Sequence, residues 1–290
     1  MNNIKKILAS VLLSSLLLSG TGYASTGSCT PKPYPISNSF SRTLQKVTGL
    51  NFVVKNIAQS VMKREILKTV SGDVNVKLDL YSVGDANAGK FKGLKISGKN
   101  LTVQDIHVSS LEAKTLCDFI HINYKKNPVV PLSDIFVGFK SYITENDINE
   151  TLNAPIYQAM FSGLKFNNIL DLSILNPKVN IENNQINLSG NITFSGMPGI
   201  FSIPLNLGIQ LMPDNGKIRL SSLEILSKSF IDLNFMNGYV KTFKPVIFDF
   251  KSISKNGEIY NIKSLNIKDN GINIEGTYFL PTKKSAKAKV

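Results

Sequence analysis

The sequence predicts an α+β fold, in which a strongly curved antiparallel β-sheet wraps around a long N-terminal amphipathic helix and a second helix lies mid-chain. Apolar residues recur at every second position over most of the chain after residue 73, which places alternate side chains on opposite faces of a sheet. Polar turns such as Asn183-Asn184 and Asn270-Gly271 separate these segments and suit the positive φ of tight hairpins. Apolar spacings of three and four before residue 62 predict the helix.

Residues 1–24 are predicted to be a signal peptide. Two lysines precede an apolar run over residues 7–18, which is too short for a membrane span of about 20 residues. Small residues up to Ala24 suit cleavage after that position. An uncleaved N-terminal anchor and a lipoprotein attached through Cys29 are the other interpretations. We expect an exported protein, periplasmic or extracellular, that is soluble or peripheral to a membrane.

A Pro-rich arm over residues 25–40 is expected to precede a single domain over residues 41–281. The two cysteines, Cys29 and Cys117, are able to pair in an oxidising compartment, which would tie the arm to the sheet. Two unpaired thiols, with Cys117 in the core, are the alternative. The basic tail over residues 282–290 is interpreted as disordered, with a membrane-surface tether as the other interpretation.

The chain carries a formal net charge of +13, which favours anionic partners. The basic residues are dispersed, without the Arg-rich clusters and interleaved aromatics typical of nucleic-acid binding. For an exported protein the available polyanions are lipid head groups and envelope polymers. Two cysteines and two well-separated histidines, His107 and His121, predict no metal site, and no motif predicts a cofactor.

The N-terminal helix is predicted to begin at Ser41 and to end at Ser71-Gly72. Lysine and arginine side chains cover much of the remaining helix surface. We expect the apolar stripe to pack across the sheet, while binding to a membrane surface is the alternative for a basic amphipathic helix. The stripe consists of Leu44, Val47, Leu50, Val54, Ile57 and Val61.

Strict alternation from Asp73 to Tyr81 predicts the first strand. A loop is expected over residues 84–89 and a turn at Gly98-Lys99-Asn100, with further strands over 116–124 and 129–139. The remaining strands are expected between about residue 171 and Leu280.

The second helix is predicted to begin after Thr144, which is able to form a capping box with Asp147. Pro155 should bend or divide this helix. Glu145 and Asp147 stand where helix caps place carboxylates, so they are interpreted as structural. The sequence contains no Gly-x-Ser-x-Gly, phosphate-binding Gly loop or His-Glu-x-x-His motif. We therefore expect no enzyme activity.

Two similar segments, residues 180–190 and 266–276, are interpreted as two corners of one sheet, with apolar side chains on its concave face. The apolar segment 197–205 contains two prolines and suits a sheet rim. Together with the helix stripe, these segments supply the candidate lipid-binding residues. The sheet residues of this set are Ile186, Leu188, Ile200, Phe201, Ile272 and Ile274.

Two segments resemble the LmeA-like family of exported bacterial phospholipid-binding proteins. They are Lys92-Gly-Leu-Lys-Ile-Ser-Gly-Lys-Asn-Leu-Thr-Val-Gln-Asp-Ile-His-Val108 and Ile143-Thr-Glu-Asn-Asp-Ile-Asn-Glu-Thr-Leu-Asn-Ala-Pro155. The first is similar to the family's early strand pair and the second to its mid-domain helix. The resemblance covers roughly residues 40–281 and implies a fold related to one half of tubular lipid-binding domains.

The resemblance implies that phospholipid acyl chains lie in a groove between the N-terminal helix and the sheet, with lysines meeting the anionic head group. It implies a role in envelope lipid transport or assembly and no catalysis. The alternative function is a non-enzymatic structural or interaction protein of the cell envelope that binds acidic polymers through a basic face.

Overall fold

A computed structural model of the chain describes most of the sequence after residue 49. The residues that it describes are 29, 34–39, 42–43, 50–123, 130–160, 164–166, 170–194, 202–214, 216–226, 246–249, 258–268 and 270–282. Within them the protein is mostly antiparallel β-sheet with a few helices, which confirms a sheet-dominated α+β class. The signal peptide, the basic tail and the apolar segment at residues 197–201 lie outside the described residues.

Strands outnumber helices among the described elements. The helices are α1 (Leu50–Ile66), α2 (Val83–Asn87), α3 (Glu145–Asn153) and α4 (Pro155–Met160). The first strands are β1 (Ser71–Asp79), β2 (Lys90–Phe91), β3 (Gly93–Val103), β4 (Ile106–Thr115), β5 (Ile120–Asn123), β6 (Val130–Pro131) and β7 (Ile135–Thr144). The later strands are β8 (Leu164–Phe166), β9 (Leu170–Glu182), β10 (Gln185–Phe194), β11 (Ser202–Asp214), β12 (Lys217–Ile225), β13 (Val246–Asp249), β14 (Ile259–Lys268) and β15 (Gly271–Leu280).

The strands form two six-stranded sheets and one small sheet. The first sheet has the order β1-β3-β4-β7-β15-β14, and the second has the order β13-β12-β11-β10-β9-β8. The third contains β2, β5 and β6. All of the paired strands are antiparallel. Alternation along β1 is as predicted, since Val74, Val76 and Leu78 are buried and the residues between them are exposed.

Two of the predicted hairpin turns, at Asn183-Asn184 and at Asn270-Gly271, are present. Asn183 and Asn184 have φ values of 53° and 60° and connect β9 to β10, while Asn270, with φ 58°, lies in the turn between β14 and β15. These are the positive φ values that a two-residue hairpin loop requires, and asparagine tolerates them better than most residues. The asparagine residues therefore predicted the position of these turns correctly.

The predicted turn at Gly98-Lys99-Asn100 is wrong. These residues lie inside β3, and Asn100, with φ 48°, sits where the pairing of β3 with β1 shifts register. The chain instead reverses at Gln104 and Asp105, whose φ values are 49° and 65°. A Gly-Lys-Asn sequence suits a bulge as well as a turn, because both need positive φ. Likewise, the predicted loop at 84–89 contains α2.

The two similar hairpins belong to different sheets, so their assignment to two corners of one sheet is wrong. The β9–β10 hairpin lies in the second sheet and the β14–β15 hairpin in the first. Their turns nevertheless lie side by side and line one small surface pocket. Alternation specifies that a strand has an apolar face but not which sheet covers it.

Helix α3 joins the two sheets. As predicted, Thr144 and Asp147 form a capping box, and Pro155 separates α3 from α4. Asn149 exchanges two hydrogen bonds of 2.8 Å with the backbone of Val179 in β9. Glu145 accepts another from the Ile181 amide. In the part of the chain that the structure describes, β8 pairs only with residues 170–172 of β9, so the later part of β9 has an open edge there. Helix α3 satisfies backbone groups of this edge and protects it from unwanted strand pairing.

Among the residues that the structure describes, no helix combines the length and the apolar character that a membrane crossing requires.

Candidate functional site

Helix α1 lies along the open edge of β1. The Gln59 side-chain amide donates a hydrogen bond of 2.7 Å to the backbone oxygen of Val76. Lys55 Nζ lies 3.3 Å from Asp79 Oδ1 at the end of the same strand. The helix therefore satisfies an edge carbonyl of the sheet, and one side of α1 is fixed against the protein.

The helix packs inward through residues four positions apart. Ile66 is fully buried in a cluster with the apolar side chains of β1, β3 and β4. Met62 packs on the same cluster, and Ala58 packs on a neighbouring one that contains Leu78. Residues at this spacing share one helix face, so the face that contains Ala58, Met62 and Ile66 is covered by the sheet.

A second apolar face of α1 points outward. Val53, Ile57 and Val61, again four residues apart, expose 54%, 60% and 46% of their surfaces, and Phe52 exposes 68%. We call Val53, Ile57 and Val61 the outer apolar face; Phe52 is also exposed but lies half a turn around the helix from Val61. Single exposed apolar side chains are ordinary, but a contiguous group on one helix indicates a surface that contacts something apolar.

A basic side chain borders the outer apolar face. Arg64, in the last turn of α1, lies three positions after Val61 and so shares its side of the helix. Lys55 instead points to Asp79 of β1. Lys68 forms an ion pair with Glu65. The described part of this helix thus has one apolar face packed on the sheet and a second, beside a basic residue, open to solvent. An open apolar face with basic residues beside it is a feature of helices that lie in a membrane interface.

The predicted helix stripe is only partly described, and its described members do not line a groove. Val54 is half-buried, but Ile57 and Val61 face outward instead of toward the sheet, which corrects their predicted placement. Leu50 begins α1. Leu44, Val47, Ile200 and Phe201 lie outside the described residues. The correction arises because apolar residues cover a wide arc of α1, and periodicity alone does not tell which part of that arc meets the sheet.

The remaining candidate residues lie together at the interface of the two large sheets. Ile186 and Ile272 are buried in one cluster, with Leu188 and Ile274 packed against it. The helix residues in this cluster are Ile148 and Leu152 of α3. The sequence therefore identified the shared apolar surface, but the helix that covers it is α3 rather than α1.

The N-terminal arm is fixed to the small sheet. Cys29 and Cys117 form a disulfide. The Tyr34 hydroxyl donates a 3.1 Å hydrogen bond to the Ile120 oxygen, and its ring packs edge-on against His121 at 4.7 Å between centroids. Lys90 Nζ reaches the Pro35 oxygen at 2.6 Å. This packing leaves His121 half-buried.

Asp85 is a buried anchor for the arm that sequence reasoning missed. Its carboxylate accepts hydrogen bonds from the Ser37 amide at 3.0 Å and from the Ser37 and Ser82 hydroxyls at 2.6 and 2.7 Å. Ser82 also caps α2 by accepting from the Asp85 amide. The signal was present as Ser82-Val-Gly-Asp85, a helix-capping spacing.

The environment of Asp85 keeps this carboxyl ionised. Burial raises its pKa, but hydrogen bonds from Ser37 and Ser82 and the charge of Lys90 outweigh burial and hold the pKa of Asp85 below its usual range. Burial and Lys90 lower the pKa of His121, so His121 is neutral at pH 7. Ser37, Ser82 and Lys90 therefore keep the Asp85 carboxylate ionised and in place. Within the described ranges, no His, Cys, Asp and Glu side chains group in a way that would hold a metal ion.

We expect an Asp85→Asn variant to be less stable than the wild type at pH 7, because an amide cannot accept all of these hydrogen bonds. Hydrogen bonds to charged groups contribute about 1.5–3 kcal/mol. Since the folded pKa of Asp85 is lowered, its contribution is present above the unfolded pKa of about 3.9 and disappears as the pH falls through the folded pKa. Urea unfolding from pH 7 to pH 2.5 should show the two proteins converging in acid. A constant difference across that range would contradict the assignment.

Comparison of the chain with protein-family models, with curated proteins and with solved structures finds no match in any of the three. The resemblance to LmeA-like proteins therefore rests on the sequence motifs alone.

Proposed function

We propose that this is an exported, non-enzymatic lipid-binding protein of the cell envelope that contacts phospholipid through the outer apolar face of α1. The observation that carries the proposal is the exposure of Phe52, Val53, Ile57 and Val61 on one helix. Transfer of a large aliphatic or aromatic side chain out of water contributes about 1.5–3 kcal/mol when burial is complete. Partial burial of Val53, Ile57 and Val61 in acyl chains, together with charge, is enough to hold a protein at a lipid surface.

Charge supports an anionic phospholipid as the ligand. The chain has a net charge of +13, and Arg64, on the same side of α1 as Val61, is placed to meet a head-group phosphate while the apolar residues meet acyl chains. Each lysine or arginine close to an anionic membrane contributes about 1 kcal/mol. Apolar contact and charge then act on the same side of the helix.

The proposed architecture includes a part that remains a prediction. A longer helix that begins near Ser41, wrapped by a strongly curved sheet, would extend the apolar face through Leu44 and Val47. Ile200 and Phe201 would then lie at the sheet rim beside the lipid. For the described half of the helix, the side toward the sheet is occupied by packed side chains. The surface open to acyl chains is therefore the outward one.

Export is supported by the disulfide between Cys29 and Cys117, because such bonds persist mainly in oxidising compartments. A periplasmic or extracellular location would place the protein beside membrane lipid. We propose a role in envelope lipid transport or assembly, as the resemblance to LmeA-like proteins implies.

Binding to vesicles tests the outer apolar face. We expect an Ile57→Glu/Val61→Glu variant to bind vesicles of phosphatidylglycerol and phosphatidylcholine at least tenfold more weakly than the wild type in a flotation assay. The double substitution replaces apolar contact with carboxylates that anionic lipid repels. Native mass spectrometry of the wild type, with lipid extraction, should show co-purified or added phospholipid.

A Leu175→Glu/Leu226→Glu variant is the matched control, because these two leucines are also exposed but lie away from α1: Leu175 is in β9, and Leu226 directly follows β12. It introduces the same charge and should bind vesicles like the wild type. Equal loss in both variants would show a general charge effect and contradict the proposal. A wild-type protein that neither carries nor binds phospholipid would overturn it as well.

A further inference from the structure

The solvent face of the first sheet carries a polar groove that crosses five adjacent strands, β1, β3, β4, β7 and β15. The groove has a volume of about 570 Å³. Two cross-strand rows of side chains line it, and the members of each row are paired in register. One row is Asn75, Ser97, Glu112, Lys140 and Glu275. The other is Asp73, Lys99, Ser110, Tyr142 and Asn273.

The charges inside the groove cancel. Three lysines, one of them Lys63 of α1, and three carboxylates line it, and Lys140 lies 2.7 Å from Glu275 in a cross-strand ion pair. The hydroxyls of Ser97 and Ser110 and the amides of Asn75 and Asn273 add hydrogen-bonding groups of both kinds. A surface that is polar, neutral and rich in donors and acceptors suits a ligand with many hydroxyl groups.

The Tyr142 ring supplies an apolar platform within the groove. It lies against β15 at Gly271, where an added Cβ would come within 2.5 Å of the ring. Because glycine has no Cβ, the Tyr142 ring is able to pack directly against the backbone of β15 at this position. A flat aromatic beside hydroxyl and amide groups is the arrangement that a sugar ring, which has apolar faces and polar edges, is able to use.

A row of three lysines borders the groove. Lys77, Lys95 and Lys114 are direct cross-strand neighbours on β1, β3 and β4. Like charges placed opposite one another destabilise a sheet. Lys95 is paired with Glu112 at 2.6 Å, which offsets only part of the repulsion. The remaining positive charge on the exposed Lys77 and Lys114 favours a ligand that brings anionic groups to this row.

We propose that this face binds an acidic saccharide chain, with sugar rings in the polar groove and anionic substituents on the lysine row. This is a second binding surface, which adjoins α1 through Lys63 but does not include Val53, Ile57 or Val61. It takes a soluble polymer instead of lipid, and its test requires no membrane.

Isothermal titration calorimetry with oligogalacturonate at 0.1 M salt tests the proposal, with maltohexaose as the uncharged comparison. We expect the full-length mature protein to bind oligogalacturonate, and a Lys77→Gln/Lys114→Gln variant to bind it at least tenfold more weakly. The same variant should melt at the same temperature as the wild type or higher, because the substitution removes like-charge repulsion. Weaker binding with unchanged or raised stability separates a ligand site from a structural role.

A Lys178→Gln/Lys263→Gln variant is the charge-matched control, since both lysines are exposed and lie on β9 and β14. It should bind oligogalacturonate as the wild type does. Equal loss in both variants would indicate attraction to the net charge and overturn the site. Absence of oligogalacturonate binding, or equally strong binding of maltohexaose, would also overturn the proposal.

Discussion

Removal of the Cys29–Cys117 disulfide in a Cys29→Ser/Cys117→Ser variant is expected to lower the free energy of unfolding by about 2–4 kcal/mol. The two cysteines are 88 positions apart, and a cross-link that closes a long loop removes many conformations from the unfolded chain. For a protein of this size the melting temperature should fall by roughly 5–15 °C. Differential scanning calorimetry without a reducing agent measures the effect.

Reduction provides the control for this prediction. With dithiothreitol present, the wild type and the double-serine variant should melt at similar temperatures. Hydrogen exchange gives a local readout, because the Ser37 amide donates to Asp85 and should exchange faster once the arm is no longer linked to residue 117. Equal melting temperatures without a reducing agent would show that the bond contributes little to stability.

An Asp147→Ala substitution is expected to destabilise the protein by about 2–4 kcal/mol, because it leaves several donors without their acceptor. Asp147 Oδ2 accepts hydrogen bonds from the backbone amides of Thr144 at 2.7 Å and Ser109 at 2.9 Å. The hydroxyls of both residues also donate to it, and the side chain is buried. One carboxylate therefore caps α3 and attaches it to β4.

Asn146→Ala is the control for Asp147, because Asn146 occupies the same helical turn but is exposed. Urea unfolding should give a small change for Asn146→Ala and a large one for Asp147→Ala. Since α3 also holds the edge of β9, amides of β9 should lose protection from hydrogen exchange in the Asp147 variant. Similar losses of stability in the two variants would contradict the central role of Asp147.

Local sequence features were reliable where the chemistry of neighbouring residues decides the conformation. The capping box at Thr144 and Asp147, the break at Pro155 and the asparagine turns at 183–184 and near 270 are all present. Each depends on groups a few residues apart. The bulge at Asn100 was taken for a turn, because the residue type indicates positive φ but not whether the chain reverses there.

Long-range assignments failed for a different reason. The outward position of Ile57 and Val61, and the burial of Ile186 and Ile272 under α3, depend on which surfaces meet in the folded chain. The solvent-face groove was also missed, because its residues come from five strands and each looks like an ordinary polar position in its own strand. Only the register of the strands brings Ser110, Tyr142 and Asn273 into one row.

The sequence by itself determined an antiparallel, sheet-rich protein with a basic N-terminal helix, because side-chain period and turn chemistry are local properties of the chain. The tertiary structure decided that the strands divide between two large sheets, that α1 covers the edge of β1, and that an apolar helix face remains open to solvent. These outcomes depend on contacts between distant segments. Hydrophobic burial drives such contacts, but it is non-directional. Which apolar surfaces pack against each other therefore depends on their shape and on the register of the strands.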